Sequence, residues 1–234
     1  MTKNQSQTGV YIAITIIVLW AACLYYGLTW EMDYSSPVLY ILILVQTHLY
    51  TGLFITSHDA MHGTVSSNKK VNTFFGHLTA TLFSYNFYHK LFPKHHEHHR
   101  FVATDKDPDY HDGNALAWYG SFLKQYITWQ QFLLMAFTFN ILKLFLPTEN
   151  LILLWMLPGI LATGQLFYFG TYLPHRGSHS KENKHKSRSQ KLNHAWAFVT
   201  CYFFGYHYEH HASPATPWWK LYQKKEEYDL KGYP

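Results

Sequence analysis

The apolar residues of this chain fall into long bands separated by polar, histidine-rich stretches. Val10 to Leu28 is a continuous apolar run; about 20 such residues in a helix rising ~1.5 Å each cross the ~30 Å hydrocarbon layer of a bilayer. A polar turn through Glu31, Asp33 and Pro37 follows, and Val38 to Ser57 is a second run of the same kind. Residues 58–120 are polar except for Thr73 to Tyr88, which is apolar but short and carries His77. That stretch predicts an embedded or interfacial helix that does not cross. Residues 121–131 are patterned as an amphipathic segment, Phe132 to Leu146 predicts a third span, and Pro147 to Asn150 a tight turn. Leu151 to Leu173 predicts a fourth span, kinked at Pro158 and Gly159. Beyond it only Ala195 to Gly205 is apolar, a helical approach to the last histidine cluster. The expected fold is an all-α integral membrane protein of one domain, residues 1–234, with about four transmembrane helices (10–28, 38–57, 132–146 and 151–173). No internal repeat or low-complexity tract is visible.

Composition sharpens this picture. Charged residues are 14% of the chain, against about a quarter in soluble domains. The mean hydropathy of −0.17 is near neutral only because polar loops offset the apolar bands. Of the 19 Lys and Arg, Lys143 alone falls in or beside a span, and the turns at 29–37 and 147–150 hold none. By the positive-inside rule both termini and the two large loops are cytoplasmic, so the polar segments form a helical cap on that side. Residues 1–9 are polar, and no small-residue cleavage site follows the first apolar run, which argues against a removable signal. No arginine-rich stretch interleaved with aromatics suggests a nucleic-acid partner. Cys23 and Cys201 are isolated and make neither a disulfide framework nor an iron–sulfur site.

The compositional outlier is histidine, with 17 residues, most of them clustered. His58 and His62 are four apart, so on a helix their imidazoles lie about 40° apart around the axis and converge. His95, His98 and His99 repeat at i, i+3 and i+4 and share a helix face, while His96 points elsewhere. His207, His210 and His211 have the same spacing, and His175 stands where the fourth span ends. Nine imidazoles on one side of a membrane exceed what one ion of four to six ligands takes, and suit two. Imidazole binds iron, zinc and copper alike, so ligand type alone does not name the metal. Three readings remain open on the residues alone: a redox enzyme, a metal transporter or storage protein, and a zinc-stabilised scaffold. A transporter places polar ligands mid-span, where only His48 lies, and a structural zinc needs about four ligands.

The three histidine clusters, at these positions along the chain, resemble those of the membrane fatty-acid desaturase/hydroxylase superfamily. Further elements are similar to the bacterial and cyanobacterial β-carotene ketolases. They are Asp105, Asp107, Pro108 and Asp109 after the second cluster, the Leu173 to Arg176 run, Phe204 to His211, and Pro217 to Leu221. The similarity runs from about residue 45 to 222. It implies two iron ions on the nine histidines, O2 as oxidant, and β-carotene or a related carotenoid as substrate. The implied reaction is two hydroxylations at C4 of a β-ionone ring and loss of water to the ketone, giving echinenone and canthaxanthin. The dense aromatics suit a tunnel entered from the bilayer. No Gly-rich dinucleotide loop or Cys cluster is present, so electrons are expected from a separate donor such as ferredoxin or a reductase. The superfamily also holds acyl-lipid desaturases, alkane hydroxylases and carotenoid 3-hydroxylases, which stand as the competing readings.

Several side chains are expected to support the centre. Asp59, Glu97 and Glu209 lie inside the clusters, where a carboxylate can accept the second N–H of a bound imidazole and fix the ring; each also reads as a solvated loop acid. Asp105, Asp107 and Asp109 read as a polar loop or as a brace for the second cluster. His48 reads as a hydrogen-bonded packing residue, His179 and His185 as solvated, and Trp218 and Trp219 as interfacial anchors.

Overall fold

The computed structural model describes residues 3–232, and among them the chain is helical with no strand. In chain order the helices are α1 (Lys3–Thr29), α2 (Pro37–Met61), α3 (Lys69–Leu82), α4 (Tyr88–Phe101), α5 (Ala115–Tyr126) and α6 (Trp129–Leu142). They continue as α7 (Thr148–His175), α8 (His194–Cys201), α9 (His207–Ala212) and α10 (Leu221–Leu230).

Among the described residues, three helices are long and apolar enough to cross a membrane: Gln7–Thr29 of α1, Pro37–Met61 and Thr148–His175. The run expected as a third span is the 14-residue α6, about 21 Å long at ~1.5 Å per residue and shorter than a ~30 Å hydrocarbon layer. Apolar side chains along α1 and α6, such as Tyr11, Tyr25, Phe132 and Phe137, are exposed. Bands of this kind are unfavourable in water and need an apolar solvent.

α2 is the central helix, packed on α1, α3 and the middle of α7. It starts on a Ser36 cap with Pro37 in the first turn, the positions where a hydroxyl acceptor and a residue without an N–H fit best. Its Gly52 is a point of close approach: a Cβ there would lie 2.5 Å from the Tyr202 hydroxyl. Polar links join the spans where apolar packing alone has no direction. Asn150 Nδ2 donates to the carbonyls of Gly27 (2.8 Å) and Trp30 (2.7 Å), fastening the start of α7 to the end of α1. Thr51 donates to Gln165 Oε1 at 2.5 Å, and Gln165 Nε2 donates to the Thr200 carbonyl at 2.6 Å, tying α2, α7 and α8 together.

The sequence pattern is refined at three places. Residues 148–150 are already helical, so the tight turn expected there lies earlier, ahead of Thr148. Around the kink expected at Pro158 and Gly159, α7 stays helical, with wide π-helical turns over Leu151–Met156 and Tyr168–Tyr172, each just ahead of a proline, Pro158 and Pro174. A proline has no N–H and its ring crowds the carbonyl four residues back; a wider turn accommodates both without ending the helix. After α8, Tyr202 and Phe203 adopt left-handed backbone (φ 49° and 65°), so the helical approach stops at Cys201, short of the expected Gly205.

Candidate metal centre

α2, α4, α7 and α9 all end at one place, and each delivers histidines there. The nine expected histidines form two groups. His58, His62, His95, His99 and His210 make one; His98, His175, His207 and His211 make the other; within each group the nearest nitrogens lie within 4.8 Å of one another. The groups adjoin, with the His99 and His211 rings stacked at 4.3 Å. Helix register explains the division. On α4 the i and i+4 residues, His95 and His99, go to the first group and the i+3 residue, His98, to the second. On α9 the roles exchange: His207 and His211 join the second group and His210 the first. Residues at i and i+4 lie about 40° apart around a helix, whereas i+3 lies about 60° to the other side. One short helix therefore serves both groups.

The chemistry of the nitrogens fits a cation. Nε2 atoms face each other at 2.6 Å (His62 and His95), 3.0 Å (His99 and His210), 3.2 Å (His98 and His211) and 3.0 Å (His207 and His211). The buried His175 Nε2 has no partner. Convergent lone pairs in a dry site need a positive charge between them. Burial pushes His62 down to about 3 and His99 to about 2, and holds His95, His207, His210 and His211 well below the usual histidine range. Neutral imidazole is the form that binds metal.

Two rings are oriented from behind. His98 Nδ1 donates to Asp107 Oδ1 at 2.8 Å. Asp107 is buried and also accepts the backbone N–H of Ala103 and of Asp109, both at 2.9 Å. Burial pulls His98 down, but Asp109 and Asp107 outweigh it and raise this one histidine above its ordinary value. His175 Nδ1 donates to the Lys186 carbonyl at 2.8 Å. In both cases the outer nitrogen is engaged and Nε2 turns inward, the arrangement by which supporting groups fix a ligating ring.

The other expected acids sit differently. Asp59 Oδ2 accepts the Trp218 backbone N–H at 3.1 Å, and its other oxygen is 3.8 Å from His58 Nδ1, beyond hydrogen-bond range. It fastens the Pro217 to Leu221 segment to α2, and Trp218 lies in the apolar core where an interfacial position was expected. Glu209 is fully buried and holds α9 to its neighbours, accepting from the Ser189 hydroxyl and pairing with Lys225 at 3.4 Å. Glu97 and Asp105 are exposed. Asp109 accepts from the Tyr126 hydroxyl. His48 stacks on Tyr202 at 4.3 Å with neither ring nitrogen hydrogen-bonded, so it packs without the bond expected of it. His185, expected to be solvated, is half-buried with its ring 6.2 Å from that of His211.

Beside the histidines runs a cavity that no spacing in the sequence marks. Its wide part, about 210 Å³, is apolar and bounded by α2, α5, α6 and α7, with Phe132 and Ile160 among its outer walls. It meets a narrower part of about 50 Å³ lined by His58, His95, His98 and His207, together with Thr171 and Phe204. Phe54, Leu91, Phe122, Tyr126 and Leu166 line both parts and form the neck between them. Phe132 and Ile160 are exposed on the apolar flank.

Residues 35–145 and 115–230 match the fatty acid desaturase family. The chain is 38% identical over 220 residues to a beta-carotene ketolase of a Paracoccus species, covering 92% of this chain and 90% of that one. It is 38% identical over 231 residues to the zeaxanthin 4-ketolase of Chlamydomonas reinhardtii, covering 91% of this chain and 52% of that protein. To a beta-carotene 4-ketolase of Haematococcus lacustris it is 34% identical over 247 residues, covering 91% and 77%. No solved structure matches it. A paired histidine centre at the ends of apolar helices, and these relatives over nearly its whole length, make one statement: the chain belongs to the fatty acid desaturase family of membrane oxidoreductases, in its beta-carotene ketolase branch.

Proposed function

We propose that this chain is an O2-dependent carotenoid 4-ketolase with two iron ions. His58, His62, His95, His99 and His210 would hold one, and His98, His175, His207 and His211 the other. The observation that carries the reading is the apolar cavity at the flank of the helices, which shares five wall residues with the narrower cavity lined by the histidines. Such ions, when bound, supply the activation of O2 that no amino-acid side chain provides.

The protein's own contribution is positioning and exclusion of water. A β-ionone ring is a hydrocarbon and gains by leaving water roughly in proportion to the area buried, about 25 cal/mol per Å². It enters between α6 and α7, beside Phe132 and Ile160, directly from lipid. Phe54, Phe122 and Leu166 pack its faces at the neck. The Tyr126 hydroxyl is engaged with Asp109, so the five neck residues present ring faces and aliphatic side chains, which favours an unoxidised ring. One end of a long substrate is held at the histidines while the remainder lies toward the bilayer.

Converting a ring CH2 to C=O takes two hydroxylations at the same carbon and loss of water. For each keto group two O2, four electrons and four protons are consumed and three waters leave. The electrons come from a separate donor protein. In the membrane we take α1, α2 and α7 as spans and α6 with residues 143–146 as the short fourth, with the centre and both termini on the cytoplasmic side; the Lys and Arg distribution supports this orientation.

The test is chromatography of pigments from β-carotene-accumulating bacteria expressing the chain, with His98→Ala as control. Echinenone and canthaxanthin in the wild type and their loss in the control are expected. An iron-loaded, membrane-inserted chain that leaves the pigments unchanged and oxidises acyl chains would refute the carotenoid reading.

A further inference from the structure

Residues 176–193 link α7 to α8 and border the second histidine group through Lys186 and His185. Between Arg176 and Lys191 lie six basic residues, Arg176, Lys181, Lys184, Lys186, Arg188 and Lys191, against one acid, Glu182. That surplus equals the formal +5 of the entire chain, so the rest of the protein is formally balanced. All six are exposed except Lys186, which is half-buried. The loop is ordered by its own backbone: Arg188 N donates to the Pro174 carbonyl (3.0 Å), Gln190 N to the Gly205 carbonyl (2.8 Å), and Asn183 Nδ2 to the Ser187 carbonyl (2.6 Å). Its buried side therefore faces the protein and its basic side chains face out.

The same loop touches the second histidine group twice. The Lys186 carbonyl accepts from His175 Nδ1 at 2.8 Å. The neighbouring His185 ring is half-buried, 5.4 Å from Tyr208 and 6.2 Å from His211. A patch of one sign steers an oppositely charged partner and orients it on encounter. A patch whose interior face contacts the centre also gives that partner a short path to it.

We infer that the 176–193 loop is the docking face for an acidic single-electron carrier protein, which delivers electrons to the second histidine group beside His185 and His175. The inference rests on the proposed function only in requiring an externally reduced centre, whatever the substrate. Each docking oxidises the carrier by one electron and reduces the centre by one, so four encounters serve each keto group. An anionic lipid surface could also attract this charge; the two contacts to the centre favour the carrier.

The test uses the full iron-loaded chain in neutral-lipid nanodiscs and an acidic [2Fe–2S] ferredoxin as the probe, with binding measured directly and with no carotenoid present. The variant carries Lys181→Glu and Lys191→Glu, two exposed positions that do not adjoin His185 or the nine histidines of the centre. A control with two charge reversals carries Lys69→Glu and Lys70→Glu at the exposed start of α3. Expected are a wild-type Kd that rises steeply with salt, at least a tenfold weaker Kd for the loop variant, and a Kd within twofold of wild type for the control. Reduction of the centre by dithionite should be equal in all three. The inference is overturned if the loop variant binds within twofold of wild type, or if both variants weaken equally. It is also overturned if the wild type binds anionic vesicles through this loop and not the ferredoxin. A chain that binds the ferredoxin here yet makes no keto product would refute the carotenoid reading alone.

Discussion

Asp107 offers the sharpest test of how the centre is supported. Its carboxylate makes three hydrogen bonds inside the protein, to His98 Nδ1 and to the N–H groups of Ala103 and Asp109, all between 2.8 and 2.9 Å. In Asp107→Asn the side-chain oxygen can keep His98 and Asp109, but the NH2 then opposes the Ala103 N–H and the negative charge is gone. A hydrogen bond to a charged group is worth about 1.5–3 kcal/mol and a neutral one about 0.5–1.5, so the exchange costs about 1–1.5 kcal/mol at His98. At ~1.4 kcal/mol per decade, iron in the second group should be held about tenfold more weakly. Asp107→Ala leaves His98 Nδ1 without a hydrogen bond, the nearest remaining acid being Asp109 at 3.8 Å, and should lose up to about 100-fold. The assay is iron retained per chain after graded chelator challenge of purified protein, with keto product measured in parallel. Retention in the order wild type, Asn, Ala is expected. Two variants that keep wild-type iron and activity within twofold would refute the argument that Asp107 sets the ring of His98.

Three further outcomes follow from the packing. Leu166 lines both the wide cavity and the neck, so Leu166→Trp should abolish keto product while iron content stays at the wild-type level; product formation unchanged would remove the neck from the substrate path. Gly52→Ala places a Cβ 2.5 Å from the Tyr202 hydroxyl and should destabilise by about 1–3 kcal/mol, read as a lower midpoint of thermal unfolding in detergent. Asn150→Ala removes the two donated bonds to Gly27 and Trp30 and should cost about 1–2 kcal/mol in the same assay, with iron content unaltered because the residue is remote from the histidines.

Local periodicity made much of this protein legible. Apolar runs announce α1, α2 and α7 because spanning lipid requires about 20 consecutive apolar residues and a helix to satisfy the backbone. The nine histidines stand out because an i, i+3, i+4 repeat has meaning only on a helix face, but the repeat alone does not divide them between two groups. What stayed out of reach depends on contacts between residues far apart in the chain. Nothing in the spacing tells that His210 crosses to the group of His58 and His95, that Asp107 and not Glu97 braces a ring, or that the Lys186 carbonyl orients His175. The same holds for the neck, where Phe54, Leu91, Phe122, Tyr126 and Leu166 come from four helices and share no pattern. The left-handed backbone at Tyr202 and Phe203 likewise follows no spacing in the sequence. A helix's own register is written in a few successive residues, whereas which helix faces which, and at what rotation, is decided by the packing of all of them at once.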